Sequence, residues 1–397
     1  MGFASKTVNI CQFRVVGIEE TTPAQAIEIV GRGLTQNAFV SIDKGSDEVS
    51  SGWVQMEDME STDFSNINDY QREDYLFFAL RRDQRKITSA VLKRKLEQAC
   101  AEFLAEHPSL KRVPKQRREE MREAIRGSLM AATFPTPSSY DIVWDLRTHT
   151  VSLFTTSTKI AEQIQSLFTV SFEGLRLVPL SPFERARRLL EGHHRERLDA
   201  ENQASSEAAM DMINQNVWLG HDFLASLLYR TVNGGQAFAV CTPGPFDQNT
   251  GFEAHLDDRL VFVGSCLHEA GKQKVVVSGP QDRFGESVTA LREGKNIAEA
   301  KINLQNAENI WKVTLKADAF TFCSFRTPFI ATEKDEVLDE STEKVARFYD
   351  KVYAIETGIQ MIESILKTFL VQERLDAQTW NETSRNIRQW SAQEQAA

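Results

Sequence analysis

Short apolar runs with a period of two mark the start and the middle of the chain. Thr7 to Val16 alternates between apolar and polar residues, which predicts a first strand. Gln36 to Val49 and Tyr75 to Leu80 offer two more short strands. From Ala237 to Phe325 such runs dominate, interrupted by a short helix near Glu286 to Glu293. The pattern predicts two strand-rich regions far apart in the sequence.

Between these regions the apolar residues recur with helical spacing. Ile87 to Glu106 predicts a helix, and Pro108 breaks it. A second helix is predicted from Pro114, a residue suited to a first helical position, to about Met130. Ile142 to Phe154 resembles a hairpin, and Thr158 to Phe168 predicts a short amphipathic helix. Helices and strands therefore alternate in the first half of the chain.

A heptad seam runs through the last segment. Its apolar residues are spaced alternately by three and four positions, at Val345, Phe348, Val352, Ile355, Ile359, Ile362, Leu366 and Phe369. One interpretation is a long helix that packs on its own domain. The other is a share in a homodimer contact, because a heptad seam also suits a partner helix.

The segments predict an α+β protein with two mixed lobes, antiparallel sheets and a long C-terminal helix. We expect an N-terminal lobe over residues 1–183 and a charged connector over 184–214, which is rich in Arg and Glu. A second lobe then covers residues 215–330, and a helical segment covers 331–397.

Composition narrows the class of protein. The hydrophobic fraction is 41% and the net charge is −10, as in a soluble globular protein. No apolar run is long enough to cross a bilayer, and residues 1–16 lack the features of a signal peptide. The five cysteines are scattered and form no CxxC pair, which favours a reducing cytoplasm and argues against a zinc site.

Positive charge is concentrated between Arg81 and Arg126. This stretch holds 14 Lys and Arg against 7 Asp and Glu, within a chain whose net charge is −10. An acidic protein with one basic island has a local electrostatic field suited to a polyanion such as DNA. Binding through net charge is excluded, so any nucleic-acid site must be a local patch.

The second predicted helix carries the most ordered part of this island. Lys115, Arg118, Arg122 and Arg126 are spaced by three, four and four residues, which places them in one stripe. Such a stripe suits a row of phosphates. The alternative is a solvated face on which Glu119 pairs with Arg122 and Glu123 pairs with Arg126.

Enzymatic alternatives have weaker support. A nuclease needs clustered carboxylates that hold Mg²⁺, and the nearest candidates are Asp141 with Asp145 and the adjacent Asp257 and Asp258. Asp141 and Asp145 would share one face of a strand, but acidic pairs at strand ends are common. No phosphate-binding glycine motif or nucleophile motif occurs, so we expect no catalysis, cofactor or metal.

Several short motifs, in order and spacing, resemble the bacterial recombination-associated protein family RdgC. They are Gly52-Trp53-Val54, Ile87 to Glu97, Leu129 to Phe134, Trp144-Asp145, Ala161-Glu162, Val178-Pro179-Leu180, Glu293-Gly294-Lys295 and Ala300 to Leu304. The resemblance covers about Thr7 to Trp380, in a chain longer than is usual for the family.

The resemblance implies a horseshoe-shaped protomer that forms a toroidal homodimer around double-stranded DNA. Such a protein binds duplex without marked sequence preference, restrains the RecA recombinase and is not known for catalysis. Two family features differ here. Ala132 stands where the family has Arg in a Pro-Arg-Ala-Phe run that keeps Phe134, and Pro280 replaces the Lys of a Lys-Gln-Asp loop that keeps Gln281.

We therefore expect a cytoplasmic, nucleoid-associated and non-catalytic protein that binds double-stranded DNA as a ring-like homodimer in recombination or replication. The predicted DNA contacts are Arg94, Lys115, Arg118, Arg122, Arg126, Phe134 and Gln281. The alternatives are a metal-dependent nuclease and a protein-interaction module that does not bind DNA.

Overall fold

The computed structural model describes residues 2–18, 21–45, 47–206, 208–265, 272–279, 284–328 and 340–392. The described part is α+β, as the sequence predicts. Its strands are β1 Thr7–Val16, β2 Val49–Val54, β3 Gln71–Arg72, β4 Tyr75–Gln84, β5 Thr136–Asp145, β6 Thr150–Leu153, β7 Arg176–Pro179, β8 Ala237–Ala239, β9 Gly251–Ser265, β10 Lys272–Ser278, β11 Asn296–Asn306, β12 Asn309–Lys316 and β13 Thr321–Arg326.

The helices account for most of the remaining described residues. They are α1 Pro23–Gln36, α2 Ser89–Glu106, α3 Lys115–Ala132, α4 Thr158–Ser171, α5 Pro182–Leu189, α6 Gly192–Ala200, α7 Ala209–Gln215, α8 Val217–Asn233, α9 Gly285–Arg292, α10 Glu340–Phe369 and α11 Ala377–Ala392. The long helix α10 confirms the predicted C-terminal helix. A 3₁₀ turn, Ile67–Asp69, and a π-helical turn, Leu370–Arg374, complete the set.

The chain forms two compact units. The larger unit comprises Met1–Val16, Thr150–Ala161 and Leu177–Ala397, and the smaller unit comprises Gly17–His149 and Glu162–Arg176. The segment predicted as a charged connector, residues 184–214, forms α5, α6 and α7 within the larger unit. The two units begin and end at other residues than the predicted lobes and connector. The predicted boundaries stay a prediction.

The larger unit is built on a sheet with the strand order β10-β9-β11-β12-β13-β1-β6. The first strand lies beside the last one, antiparallel, with Val8 opposite Phe325. Along β12 the buried residues Trp311, Val313 and Leu315 alternate with more exposed ones, so one face of the sheet lies towards the core. The period-two patterns of the sequence thus correspond to the buried and the more exposed faces of this sheet.

Helix α10 packs within the larger unit through its heptad seam. Seven of the eight seam residues are buried, and Val345 alone is exposed, at 37%. The indole Nε1 of Trp311 donates a hydrogen bond of 2.7 Å to the carbonyl of Ala354 on this helix. A side chain at Gly358 would meet the rings of Phe325 and Trp311, so the helix lies directly on the sheet. This arrangement matches the intramolecular interpretation of the seam.

A row of buried polar groups accompanies the apolar seam of α10. The amide nitrogen of Gln360 donates hydrogen bonds of 2.9 and 3.0 Å to the carbonyls of Thr242 and Phe246. Its amide oxygen accepts one of 2.8 Å from the Phe246 N–H. One turn further on, the hydroxyl of Ser364 lies 2.8 Å from that of Thr242. The polar row therefore joins α10 to the segment after β8.

The strands of the smaller unit pair antiparallel in the order β5-β4-β2, and β3 pairs with β4. An aromatic cluster fills its core. Trp53 lies edge-to-face with Phe78 at 5.2 Å and stacks on Phe172 at 5.9 Å between ring centroids. The indole Nε1 of Trp53 donates to the Ser171 hydroxyl at 2.8 Å. These contacts fix α4 against the sheet.

The prediction of a strand over Gln36 to Val49 is wrong. Gln36 ends α1, and β2 begins only at Val49. Between them, Ala38 forms a single bridge to Trp53. Local capping decides the helix, because Thr22 and Gln25 form a reciprocal capping box immediately around Pro23.

Candidate nucleic-acid interface

Helices α2 and α3 form a helical hairpin, which we define as residues 89–132 with the connection 107–114. Its two helices run in opposite directions. Arg117, near the start of α3, lies 5.9 Å from the ring of Phe103, near the end of α2. At the other end, Arg85, just before α2, donates to the carbonyl of Met130, near the end of α3. The predicted helices are thus confirmed and paired.

The hairpin is exposed along most of its length. Leu96 is the one buried residue of α2, and α3 contains none. The half-buried residues Met121, Ile125 and Leu129 follow one face of α3, as the sequence predicts for its apolar seam. Because the two helices share few buried side chains with the rest of the unit, most of their polar surface faces solvent.

Arg85 fixes the root of the hairpin. Its guanidinium is buried, and Nη1 donates hydrogen bonds to the carbonyls of Met130 at 3.2 Å and Thr133 at 2.7 Å. Nη2 donates to the carbonyls of Ile42 at 2.6 Å and Gly45 at 3.0 Å, with Asp43 at 3.3 Å. One side chain therefore holds both ends of the hairpin against the 42–45 segment.

Three of the predicted DNA contacts are exposed cations on this hairpin. Arg94 lies on α2, and Lys115 and Arg118 lie on α3. Within the described residues none of the three forms an ion pair. A guanidinium or ammonium group in this state needs no rearrangement of the protein before it contacts a phosphate.

The other two predicted cations of α3 are paired at the surface. Arg122 lies 3.6 Å from Glu119, and Arg126 lies 3.1 Å from Glu48. The first of these is the pair expected for a solvated face, whereas Glu123 is not the partner of Arg126. Exposed pairs of this kind contribute about 0–1 kcal/mol, so a phosphate could replace the carboxylate at little cost.

Part of the basic island is structural. Arg81 is buried and binds Asp83 at 2.9 Å and Glu60 at 2.6 Å. The hydrogen bonds that Arg81 donates to Asp83 are the main cause that raises the pKa of Arg81. Arg81 and Arg85 are therefore inaccessible to a ligand, whereas the cations of the hairpin are exposed.

Phe134 follows the hairpin directly and is 86% exposed. An aromatic ring in this state can stack or pack against a ligand or another chain. Ala132, which stands where the family has Arg, is the last residue of α3. The remaining predicted contact, Gln281, and its neighbour Pro280 lie outside the described residues.

The carboxylates considered for nuclease chemistry are engaged with their neighbours. Asp145 accepts hydrogen bonds from the Arg147 N–H at 2.9 Å and the Thr148 hydroxyl at 2.9 Å. Asp257 and Asp258 both pair with Lys301, at 3.4 and 2.8 Å. In the described ranges, no group of three or more His, Cys, Asp or Glu is placed to hold a metal ion.

A protein-family comparison identifies the region that carries the hairpin. Residues 10–205 match the model of a family described as "RdgC: Putative exonuclease, RdgC". The chain is a member of the RdgC family. The match covers about half of the chain and includes β1, the smaller unit and the helices up to α6. No curated protein matches the sequence.

Membership of the RdgC family supports a recombination-associated role in DNA binding. The description of the family also names an exonuclease, and nuclease chemistry is the activity considered above for Asp141 and Asp145. Within the described residues, none of the helices combines the length and the apolar character needed to span a bilayer.

Sequence reasoning placed the hairpin correctly but did not separate its surface cations from the buried ones nearby. A usable signal is present. Every residue of β4 from Tyr75 to Arg81 is buried, and beyond Leu80 the burial alternates, so Arg81, Asp83 and Arg85 fall on one face and all three are buried. A strand pattern that continues through charged residues thus indicates buried pairs, not a surface patch.

Proposed function

We propose that the chain binds double-stranded DNA without marked sequence preference, through the phosphates, and that the helical hairpin is its main contact. The observation that carries this proposal is the set of exposed cations at Arg94, Lys115 and Arg118, which form no ion pair with any residue that the structure describes. They lie on an element whose surface is almost entirely open to solvent.

The dimensions and charges of α3 support a backbone contact. A helix of 18 residues is about 27 Å long, which equals the length of roughly eight base pairs. Arg122 and Arg126 extend the row of cations towards the root of the hairpin. Contacts to phosphates fix the position of a protein on DNA and carry no direct sequence information. The acidic remainder of the chain restricts binding to this patch.

The resemblance to RdgC supplies the finer parts of the proposal. It implies a ring-like homodimer around duplex DNA, a role in recombination or replication, restraint of the RecA recombinase, and no catalysis. We include Phe134 and Gln281 as further DNA contacts on the same ground. Such a protein would be cytoplasmic and associated with the nucleoid.

Salt titration of duplex binding tests the hairpin contact. The triple variant Arg94→Gln/Lys115→Gln/Arg118→Gln should bind a random duplex more weakly, and its slope of log affinity against log salt should fall by about 0.9 for each lost phosphate contact. The matched control, Arg259→Gln/Lys274→Gln/Arg326→Gln, removes three exposed cations from the larger unit and should keep the parental slope. An unchanged slope in the triple variant would contradict the proposal.

The family description favours one competing function, an exonuclease. A test incubates end-labelled linear duplex with the protein and Mg²⁺ and measures released nucleotides. We expect no digestion. Release that needs Mg²⁺ and disappears in Asp141→Asn or Asp145→Asn would instead support the enzyme. Absence of measurable duplex binding by the parent chain, without any digestion, would favour a protein-interaction module.

A further inference from the structure

Four arginines converge on a cleft of the larger unit that the proposed DNA contact does not use. The cleft has a volume of about 410 Å³ and is lined by Arg14, Leu180, Glu184, Arg187, Arg188 and Arg195. Arg14 lies on β1, two of the arginines lie on α5, and Arg195 lies on α6. The sequence suggested only a charged connector here, with its basic and acidic residues in solvent.

Hydrogen bonds of the fold hold two of these arginines in position. Arg188 donates from Nη1 to the Thr150 hydroxyl at 2.8 Å, and Thr150 is the residue opposite Arg14 in the β1–β6 ladder. Arg195 donates from Nε to the carbonyl of Leu190 at 2.9 Å. The guanidinium of each side chain is thus anchored before a ligand arrives, which lowers the entropy cost of binding.

The base of the cleft is rigid for a separate reason. Arg185, adjacent to the cleft on α5, is buried and pairs with Glu363 of α10. Its Nη2 also donates to the Gln12 side chain of β1 at 2.8 Å. Helix α5 is therefore fixed to β1 and α10, and the arginines on its open side keep their spacing.

The charges around the cleft do not cancel. Glu184 is the one acidic residue in the lining, and Arg187 pairs with Asp199 at 3.2 Å. Among the residues that the structure describes, Arg14 and Arg195 have no acidic partner. Guanidinium groups that face one cleft repel each other unless an anion lies between them. A bound anion would remove this repulsion.

We propose that this arginine cleft binds a phosphate-bearing anion with two or more negative charges. The guanidinium fork matches the geometry of phosphate oxygens and binds them in pairs. The terminal nitrogens of Arg14 and Arg195 are the donors that the fold leaves for such a ligand. The phosphate can belong to a free phosphorylated compound or to a nucleic-acid backbone. The inference stands independently of the proposed contact by the hairpin.

The test uses inorganic pyrophosphate and the full chain in isothermal titration calorimetry. Arg14→Gln/Arg195→Gln should weaken pyrophosphate binding by at least about tenfold, because it removes two charge-assisted contacts. Arg259→Gln/Arg326→Gln changes the net charge equally and should bind like the parent. Arg14→Lys/Arg195→Lys keeps the charge, loses the forks and should bind with intermediate affinity. The urea midpoints of all variants should match the parent.

Competition then separates the two sources of phosphate. If a random duplex displaces pyrophosphate and also binds the cleft variant more weakly, the ligand is a nucleic-acid backbone. If the duplex does not displace it, the ligand is a free phosphorylated compound. Absence of saturable pyrophosphate binding, or an equal loss in the cleft variant and its control, would overturn the proposal. The hairpin triple variant should keep parental pyrophosphate affinity, so failure of the hairpin contact is read separately.

Discussion

Arginines of one short stretch have two different roles in this protein. Arg81 and Arg85 are buried and bind carboxylates or carbonyls, whereas Arg94 and Arg118 are exposed on the hairpin. A buried guanidinium costs desolvation energy that its hydrogen bonds must offset, and in Arg85 the two terminal nitrogens make these bonds while Nε has no partner among the described residues. The first pair therefore contributes to stability, and the second is available to a ligand.

Replacement of Arg85 should loosen the root of the hairpin. In Arg85→Met the carbonyls of Met130, Thr133, Ile42 and Gly45 lose this donor. The carbonyl of Ile42 is buried, and an unsatisfied buried acceptor costs about 1–3 kcal/mol, whereas that of the exposed Gly45 can bind water. We expect the free energy of unfolding to fall by about 3 kcal/mol in urea denaturation. Arg94→Gln, on the exposed surface, should change it by less than about 0.5 kcal/mol. Equal small effects would show that the carbonyl contacts are weak.

The thiol of Cys11 should be inert to alkylation. Burial raises the pKa of Cys11 to about 12, and the thiol donates to the carbonyl of Thr155 at 3.1 Å. Only the thiolate reacts, and at pH 8 it is about one part in ten thousand of a group with this pKa. Mass spectrometry after iodoacetamide treatment should find Cys11 unmodified in the folded protein and modified in urea. Rapid labelling of folded protein at Cys11 would contradict this.

At the residue scale, the sequence predicted the type of chemistry better than its location. The stripe from Lys115 to Arg126 follows from helical spacing alone. The partners of Arg81 and Arg126 do not, because Glu60 and Glu48 lie far away in the sequence. The arginine cleft was missed for the same reason, since Arg14 and Arg195 come together only in the fold.

The hairpin is an element that depends mainly on its own helices. It buries little apolar surface, so helix propensity and the contact between α2 and α3 carry much of its stability. This property makes it sensitive to single changes that leave the rest of the chain unaffected.

Substitution of Gly127 should stabilise α3. A Cβ at this position would meet nothing within 4 Å, and alanine in an exposed helix interior is favoured over glycine by about 1 kcal/mol. Hydrogen exchange should show slower exchange of α3 amides in Gly127→Ala. Gly220→Ala on α8 is the matched contrast. Its Cβ would lie 1.9 Å from the Ala317 carbonyl oxygen, so this substitution should destabilise the larger unit. Faster exchange in Gly127→Ala would contradict the expectation.

The helices from Ser89 and Lys115 and the long helix α10 were predicted, whereas α1 was not. Two signals of α1 are present in the sequence. Its buried residues Ala26, Val30 and Leu34 follow helical spacing, and Thr22 and Gln25 form a capping box. The pairing of β1 with β13, by contrast, could not be predicted from the sequence. Alternation shows which face of a strand is buried but does not identify its partner.

At the scale of the whole molecule, charge separation is the main constraint. A chain with a net charge of −10 is repelled by DNA except at its basic surfaces. Salt weakens such contacts, because counterions compete for the phosphates. A closed ring would differ, since a topological link does not depend on salt.

The proposed ring predicts that retention depends on the topology of the DNA. Protein loaded at low salt should stay on closed circular duplex after a high-salt wash and should leave linear duplex of the same sequence. Cutting the circle with a restriction enzyme should then release it, which co-sedimentation measures. Equal loss from circle and linear DNA would contradict encirclement while leaving the hairpin contact intact.

The polar row of α10 has a consequence for the register in which this helix packs. A heptad seam repeats, so sliding the helix by one turn, about 5.4 Å, would preserve much of its apolar contact. The same shift would place Gln360 and Ser364 beside groups that cannot form hydrogen bonds with them. The buried amide of Gln360 therefore specifies a single packing register for α10. Replacing Gln360 with leucine would leave a stable helix that can pack in several registers.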